Sequence, residues 1–204
     1  MKKIEKQLSR YICQSSAPII AKWIVDTGCQ FKITKSRSTK LGDYRAPFQH
    51  QGHRISVNHN LNKYSFLLTT VHEFAHLKTY NEYKNKVEPH GNEWKRNFQL
   101  LMKPFLTELY FPEDLLSVLQ QHMSNPKASS SSDANLLRVL RKYDSQDKNV
   151  HYVEDLNYGD SFAIPSGRIF VKQEKLRKRY KCMEVGTKRI YLFQPLAEVH
   201  PIKL

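Results

Sequence analysis

Cysteine is nearly absent from this chain. Its 204 residues hold 3 Cys, at positions 13, 29 and 182, with no close pair. That excludes a disulfide framework and suits a reducing cytoplasm, which is the expected location. Long apolar runs are also missing. After the opening Met-Lys-Lys-Ile, Lys22 interrupts Ile19-Ile20-Ala21-Lys22-Trp23-Ile24-Val25, so neither a signal-peptide core nor a membrane span is expected. Acidic residues are scarce: 19 Asp and Glu face 33 Lys and Arg, a net charge of +14. Such a balance points to a polyanionic partner, most often nucleic acid. The plainer reading is a generic basic surface. Mean hydropathy is low at -0.62, yet 40% of residues are hydrophobic, enough for one domain or two small ones.

What the chain does have is concentrated in Thr70-Val71-His72-Glu73-Phe74-Ala75-His76, an H-E-x-x-H pattern. Residues four apart share one helix face, so His72 and His76 present two imidazoles to one point, the way a helix grips zinc. Glu73 lies beside the first of them, where a carboxylate can take a proton from an attacking water. With 9 His in the chain, the pattern arises by chance in roughly two of a hundred such sequences. The segment from Leu61 to Tyr80 contains no Gly or Pro. Tyr64, Leu68, Val71 and Ala75 recur at helical spacing, and Asn60 or Asn62 is the expected cap. This helix reads as buried, so its histidines need partners.

Catalytic zinc usually takes three protein ligands. The stretch Val87-Glu88-Pro89-His90-Gly91-Asn92-Glu93-Trp94 places His90 on a turn, with Asn92 as the expected cap of a following helix. His90 is the preferred third ligand; Glu88 and Glu93 are its rivals.

The elements Thr69-x-x-His72-Glu73-x-x-His76 and His90-Gly91-x-Glu93-Trp94 together resemble the SprT-like metalloprotease family, which includes bacterial SprT proteins and the DNA–protein crosslink protease Spartan. Arg37-x-x-x-Leu41-Gly42-Asp43-Tyr44 and Arg54-Ile-Ser-Val-Asn58 fit the same pattern. The resemblance covers roughly residues 4 to 110. It implies a small zincin-type protease fold binding Zn2+ through His72, His76 and His90, with Glu73 as general base, and protein substrates held on DNA. The family's four-Cys zinc ribbon cannot form here, because only Cys182 lies in that region.

The remaining elements follow from pattern. Ile4, Leu8, Tyr11 and Ile12 read as an amphipathic helix. Pro18 opens a second helix that Gly28 ends. Phe31 to Thr34 and His53 to Asn58 alternate as strands, and the segment from Ser36 to Pro47 between them is polar and basic. By analogy with zincins, the strand at 53–58 is expected beside the active-site helix, with a sheet edge pairing an extended substrate. His50, His53 and His59 cluster nearby; the preferred reading is satisfied surface histidines, and the alternative is that one of them stabilises the oxyanion. Further helices are expected between Phe105 and His122 and from Leu136 to Tyr143. The Ser-rich run between Ser124 and Asn135 is the expected linker. Beyond it, Ser161–Ile164, Arg168–Lys172, Arg179–Val185 and Arg189–Phe193 read as strands. This module is strongly basic; Arg177, Lys178, Arg179 and Lys181 are candidate nucleic-acid contacts, and Phe170, Tyr180 and Tyr191 are either base-stacking rings or core.

The expected architecture is therefore α+β: a zinc metalloprotease domain over residues 1–123, a linker over 124–135, and a β-rich module over 136–204. The expected activity is zinc-dependent hydrolysis of peptide bonds. The alternatives are a nucleic-acid-binding protein with a structural zinc site, and a scaffold that binds peptide without cutting it. The intact Glu73 argues against both, since a structural site has no use for that carboxylate.

Overall fold

Asn62 starts the longest helix of the chain, α3 (Lys63–Tyr83), by accepting the N–H groups of Tyr64 and Ser65 at 3.0 and 2.9 Å. Twelve of its residues are buried, including Glu73. The computed structural model describes residues 1–37, 39–127, 133–144 and 150–202. Two units divide the chain, Met1–Ser145 and Gln146–Leu204.

In the first unit, α1 (Lys2–Leu8) and α2 (Ala17–Thr27) precede the sheet. Gly28 ends α2 at φ +62°, the left-handed conformation that only glycine adopts without cost. The sheet has three strands, β1 (Gln30–Thr34), β2 (Gly42–Arg45) and β3 (Arg54–Asn58), in the order β1-β3-β2. β1 runs parallel to β3, and β2 antiparallel to it. Two expectations change. The segment between Ser36 and Pro47 contains a strand, β2, that its polar composition conceals. And β3 is the central strand, so β2 is the free edge on the side of α3. Ile55 and Val57 are buried, and α3 packs on β2 and β3.

Helix α4 (Asn92–Met102) packs along α3 through Trp94 and Phe98. Its N-cap is Gly91 rather than Asn92 and makes no side-chain cap bond. A 3-10 turn at Lys103–Phe105 follows, where Pro104 stops the helix. Then come α5 (Glu113–Ser124) and α6 (Ala134–Arg141), capped by Asp133. The sequence pattern grouped this last helix with the C-terminal module. The structure counts it with the first unit, because Leu136 and Leu140 are buried in that unit's core beside Leu115 and Leu119. The expected linker at 124–135 falls partly outside the described residues.

The second unit is a six-stranded sheet in the order β4-β9-β5-β6-β7-β8, all antiparallel: β4 (His151–Tyr152), β5 (Ser161–Ala163), β6 (Ile169–Lys175), β7 (Tyr180–Glu184), β8 (Ile190–Phe193) and β9 (Glu198–Ile202). β7 alternates, with Tyr180 and Cys182 buried and Lys181 and Met183 on the other face. Phe162, Phe170 and Tyr180 form its core with Val153 and Val199, and Tyr191 packs against them. Of the two readings of these aromatics, the core reading holds.

Candidate active site

One helix turn sets the first two site residues. His72 and His76 lie on the same face of α3, and their Nε2 atoms are 3.1 Å apart. His90 arrives from the other side on a tight turn. Gly91 N–H closes that turn onto Glu88 O at 2.9 Å, with Pro89 and His90 at its centre. This is the geometry of a type II turn, which demands a positive φ at its third residue. His90 supplies it at φ +62°, in a place usually taken by Gly or Asn. The strained turn brings His90 Nε2 to 3.0 Å from His76 Nε2 and 3.2 Å from His72 Nε2.

Three imidazole nitrogens facing one another cannot satisfy one another. Each is either a donor or an acceptor, so one contact of the triangle always sets like against like. A single cation resolves this. An ion held at about 2.0–2.1 Å by three nitrogens at tetrahedral angles needs N···N separations of about 3.3–3.4 Å, within a few tenths of those present. Among the described residues this trio is the one cluster suited to a metal ion, and neither Glu88 nor Glu93 belongs to it. All three rings are held ready in their neutral, ligating form. Burial, with the neighbouring His76 and His90, pushes His72 down to about 2. Burial and then His90 push His76 down to about 4. Burial also lowers His90.

Trp94 is the floor of the site. It is completely buried, and its ring centroid lies 4.6, 5.4 and 4.7 Å from those of His72, His76 and His90. Phe98 backs it at 4.9 Å. Tyr44 lies parallel to the His76 ring, centroids 6.2 Å apart, with its hydroxyl 2.9 Å from His53 Nδ1.

Glu73 follows His72 on α3 and is 6% exposed. Burial pushes its carboxyl up to about 8, and the charge of Asp43 adds to the rise. The Tyr44 backbone N–H and the charges of Arg37 and Lys40 offset part of it. Its position depends on a gap in β2. A Cβ at Gly42 would stand 2.7 Å from Thr69 Cγ2 and 2.9 Å from Glu73 Cγ, and would overlap Glu73 Oε1. Glycine is required here for close approach. The sequence signal was present, a glycine inside a strand-length stretch, but β2 itself was not legible.

Clefts flank the trio on both sides. One, of about 220 Å³, is lined by Gly42, Thr69, His72, Glu73, Phe98 and His122 among others. The second, of about 460 Å³, is lined by Tyr44, His76, Tyr80, Glu88 and His90 among others. None of His50, His53 and His59 joins the trio. The basic candidates lie in the second unit: Arg177, Lys178 and Arg179 are exposed on the turn between β6 and β7, and Lys181 pairs with Glu174 at 2.7 Å. No helix among the described residues is long and apolar enough to cross a membrane.

Comparison with known proteins agrees with the geometry. Searches of curated proteins and of solved structures found no match. The profile of the SprT-like family, however, matches residues 6–112. That span contains α2, the three-stranded sheet, α3 and α4, with all three histidines and Glu73. The chain belongs to the SprT-like family.

Proposed function

We propose that this protein is a zinc-dependent endopeptidase. The observation that carries the reading is the meeting of three neutral, half-buried imidazoles with a carboxyl of raised pKa on the residue that follows the first of them on the same helix. His72, His76 and His90 would hold Zn2+, a set of three nitrogens that leaves a fourth position open. When bound, the zinc would polarise the scissile carbonyl and acidify water.

The rest of the mechanism belongs to the chain's own groups. β2 is a free sheet edge, and its Gly42 and Tyr44 border the two clefts. An extended peptide pairing with that edge would lie across the trio and be held by its main chain. Such binding gives little sequence preference. Glu73 is close to the site and out of bulk water, and a carboxyl with its pKa near neutrality can both accept and return a proton. It would take one from water as the C–O bond forms and pass it to the amine as the C–N bond breaks. Trp94 excludes water from beneath the site.

The finer substrate proposal is protein bound or crosslinked to DNA. The family resemblance and the net charge of +14 support it, with the exposed Arg177, Lys178 and Arg179 as candidate phosphate contacts and a cytoplasmic location. Base stacking by Phe170 and Tyr180 has no support, since both are buried.

The test is metal content and cleavage of a DNA-binding protein, with and without DNA. Each of His72→Ala, His76→Ala and His90→Ala is expected to lose the metal. Glu73→Gln is expected to keep about one zinc per chain while activity falls ~10²–10⁴-fold. Cleavage by Glu73→Gln within a few-fold of wild type would overturn the mechanism.

A further inference from the structure

The cleft beside Glu73 has a wall that the family match does not reach. His122, in the last turn of α5, lines it together with His72, Glu73 and Gly42. Its side chain is 2% exposed, and Nδ1 lies 2.9 Å from Asp133 Oδ2. Asp133 is held in turn. Its other oxygen accepts the Leu136 N–H at 3.4 Å as the cap of α6, and Lys127 Nζ lies 3.5 Å from Oδ2. His122 is also near enough to His72 for its charge to bear on that ring. A buried histidine, fixed at one nitrogen by a carboxylate and facing a cleft with a second carboxylate, has the arrangement of an oriented donor.

We infer that His122, oriented by Asp133, is a further catalytic residue, whose Nε2–H binds the scissile carbonyl oxygen as that oxygen becomes negative. The inference rests on the peptidase reading above. Asp133 fixes the ring through Nδ1, and Nε2 is the nitrogen left to meet the carbonyl oxygen. Protons are conserved through the reaction. Water gives one proton to Glu73 as its oxygen bonds the carbonyl carbon, and the C=O pair moves onto the carbonyl oxygen, against His122. The pair returns as the C–N bond breaks, and the amine takes the proton from Glu73. His122 keeps its own proton and contributes only where negative charge develops, which is where a donor lowers the barrier. A purely structural clip between α5 and α6 would use Nδ1 and Asp133 alone and would need no position on the cleft.

The experiment uses the full chain loaded with zinc, quenched fluorescent casein as substrate, and a phosphinic pseudopeptide with its parent peptide as ligands. His122→Ala is expected to lower kcat ~10²- to 10³-fold with KM within a few-fold and zinc content unchanged. It should weaken the tetrahedral phosphinic ligand in step with kcat/KM but leave the parent peptide's affinity unchanged. His122→Gln, which keeps a donor, should recover part of the loss. Asp133→Asn preserves the α6 cap, since Asn caps as well as Asp, and should lower kcat with little change in Tm; it decides the matter if His122→Ala fails to fold. A lowered Tm with kcat and phosphinic affinity unchanged in these variants would make the pair a structural clip and overturn the inference. Glu73→Gln separates the two proposals. If it still cuts, the peptidase mechanism falls; if it is inactive while His122→Ala is fully active, the role of His122 alone falls.

Discussion

Lys172, 3% exposed in the C-terminal sheet, has an ammonium group that is well answered. It donates to the carbonyls of Glu154 and Leu156 and stands 4.2 Å from the centre of the Tyr180 ring. Glu73, 6% exposed on α3, is answered only in part, and its carboxyl is pushed up to about 8. The same contrast extends outward. In the first unit three imidazoles face one another, and Thr70 Oγ1 and Trp94 Nε1 are buried without a hydrogen-bond partner. Among the described residues of the second unit no buried side-chain polar atom lacks one. On the peptidase reading, charge buried for architecture is compensated by its own fold, whereas the carboxyl proposed for chemistry is left for something that arrives later.

The largest expected effect comes from cutting one core ring in each unit. Trp94→Ala and Phe162→Ala should each cost about 3–5 kcal/mol, read by denaturant unfolding. Trp94→Ala should also lose the metal, because its ring supports all three histidines. Phe162→Ala should hold the wild-type amount per chain. Metal loss in both would break the comparison.

Neutralising the unanswered carboxyl should sharpen it. In chelated, metal-free protein, Glu73→Gln should be more stable than wild type at pH 8 by up to about 4 kcal/mol. The sign follows from a folded pKa of about 8 against an ordinary value of 4.5. Below pH 4.5 the carboxyl is protonated in both states and costs nothing. Between pH 4.5 and 8 the unfolded chain carries a charge that the folded site resists, so wild-type stability falls across that window and levels off above 8. The two proteins should therefore converge near pH 4.5, and a gap independent of pH would show that Glu73 is not the source.

The smallest effect belongs to the compensated charge. Lys172→Met fills the same space but deprives two carbonyls of their donor. The lost bonds and the relieved desolvation of the ammonium oppose each other, leaving a net destabilisation of about 1 kcal/mol. A loss several times larger would mean that the second unit depends on its buried charge as heavily as the first.

Much of this was legible in the sequence. The spacing of His72 and His76 fixes a face on any helix, and Pro89-His90-Gly91 can hardly be anything but a turn. The Asn62 cap, the end of α2 at Gly28 and the four strands from Ser161 to Phe193 also follow from local chemistry. What was missed depends on partners distant in the chain. β2 is four residues long, contains a glycine and is a strand only because β3 pairs with it. β9 contains Pro201 and is supported by β4 and β5. The amphipathic face of α6 can dock on any apolar surface, and its pattern does not say which. The pairing of His122 with Asp133 spans a Ser-rich stretch that offers no periodicity to read.

The turn that carries His90 also has consequences in time. His72 and His76 ride on a helix whose packing fixes their separation, whereas His90 stands on a left-handed residue that would relax if released. An ion entering the cleft would therefore be captured first by the helix pair and locked second by the turn, and departure would run in the reverse order. The exchange rate of the metal would then be set by the opening of Glu88–Gly91, so that replacing Pro89 by glycine, which loosens the turn, would alter how long an ion stays far more than how quickly it is found.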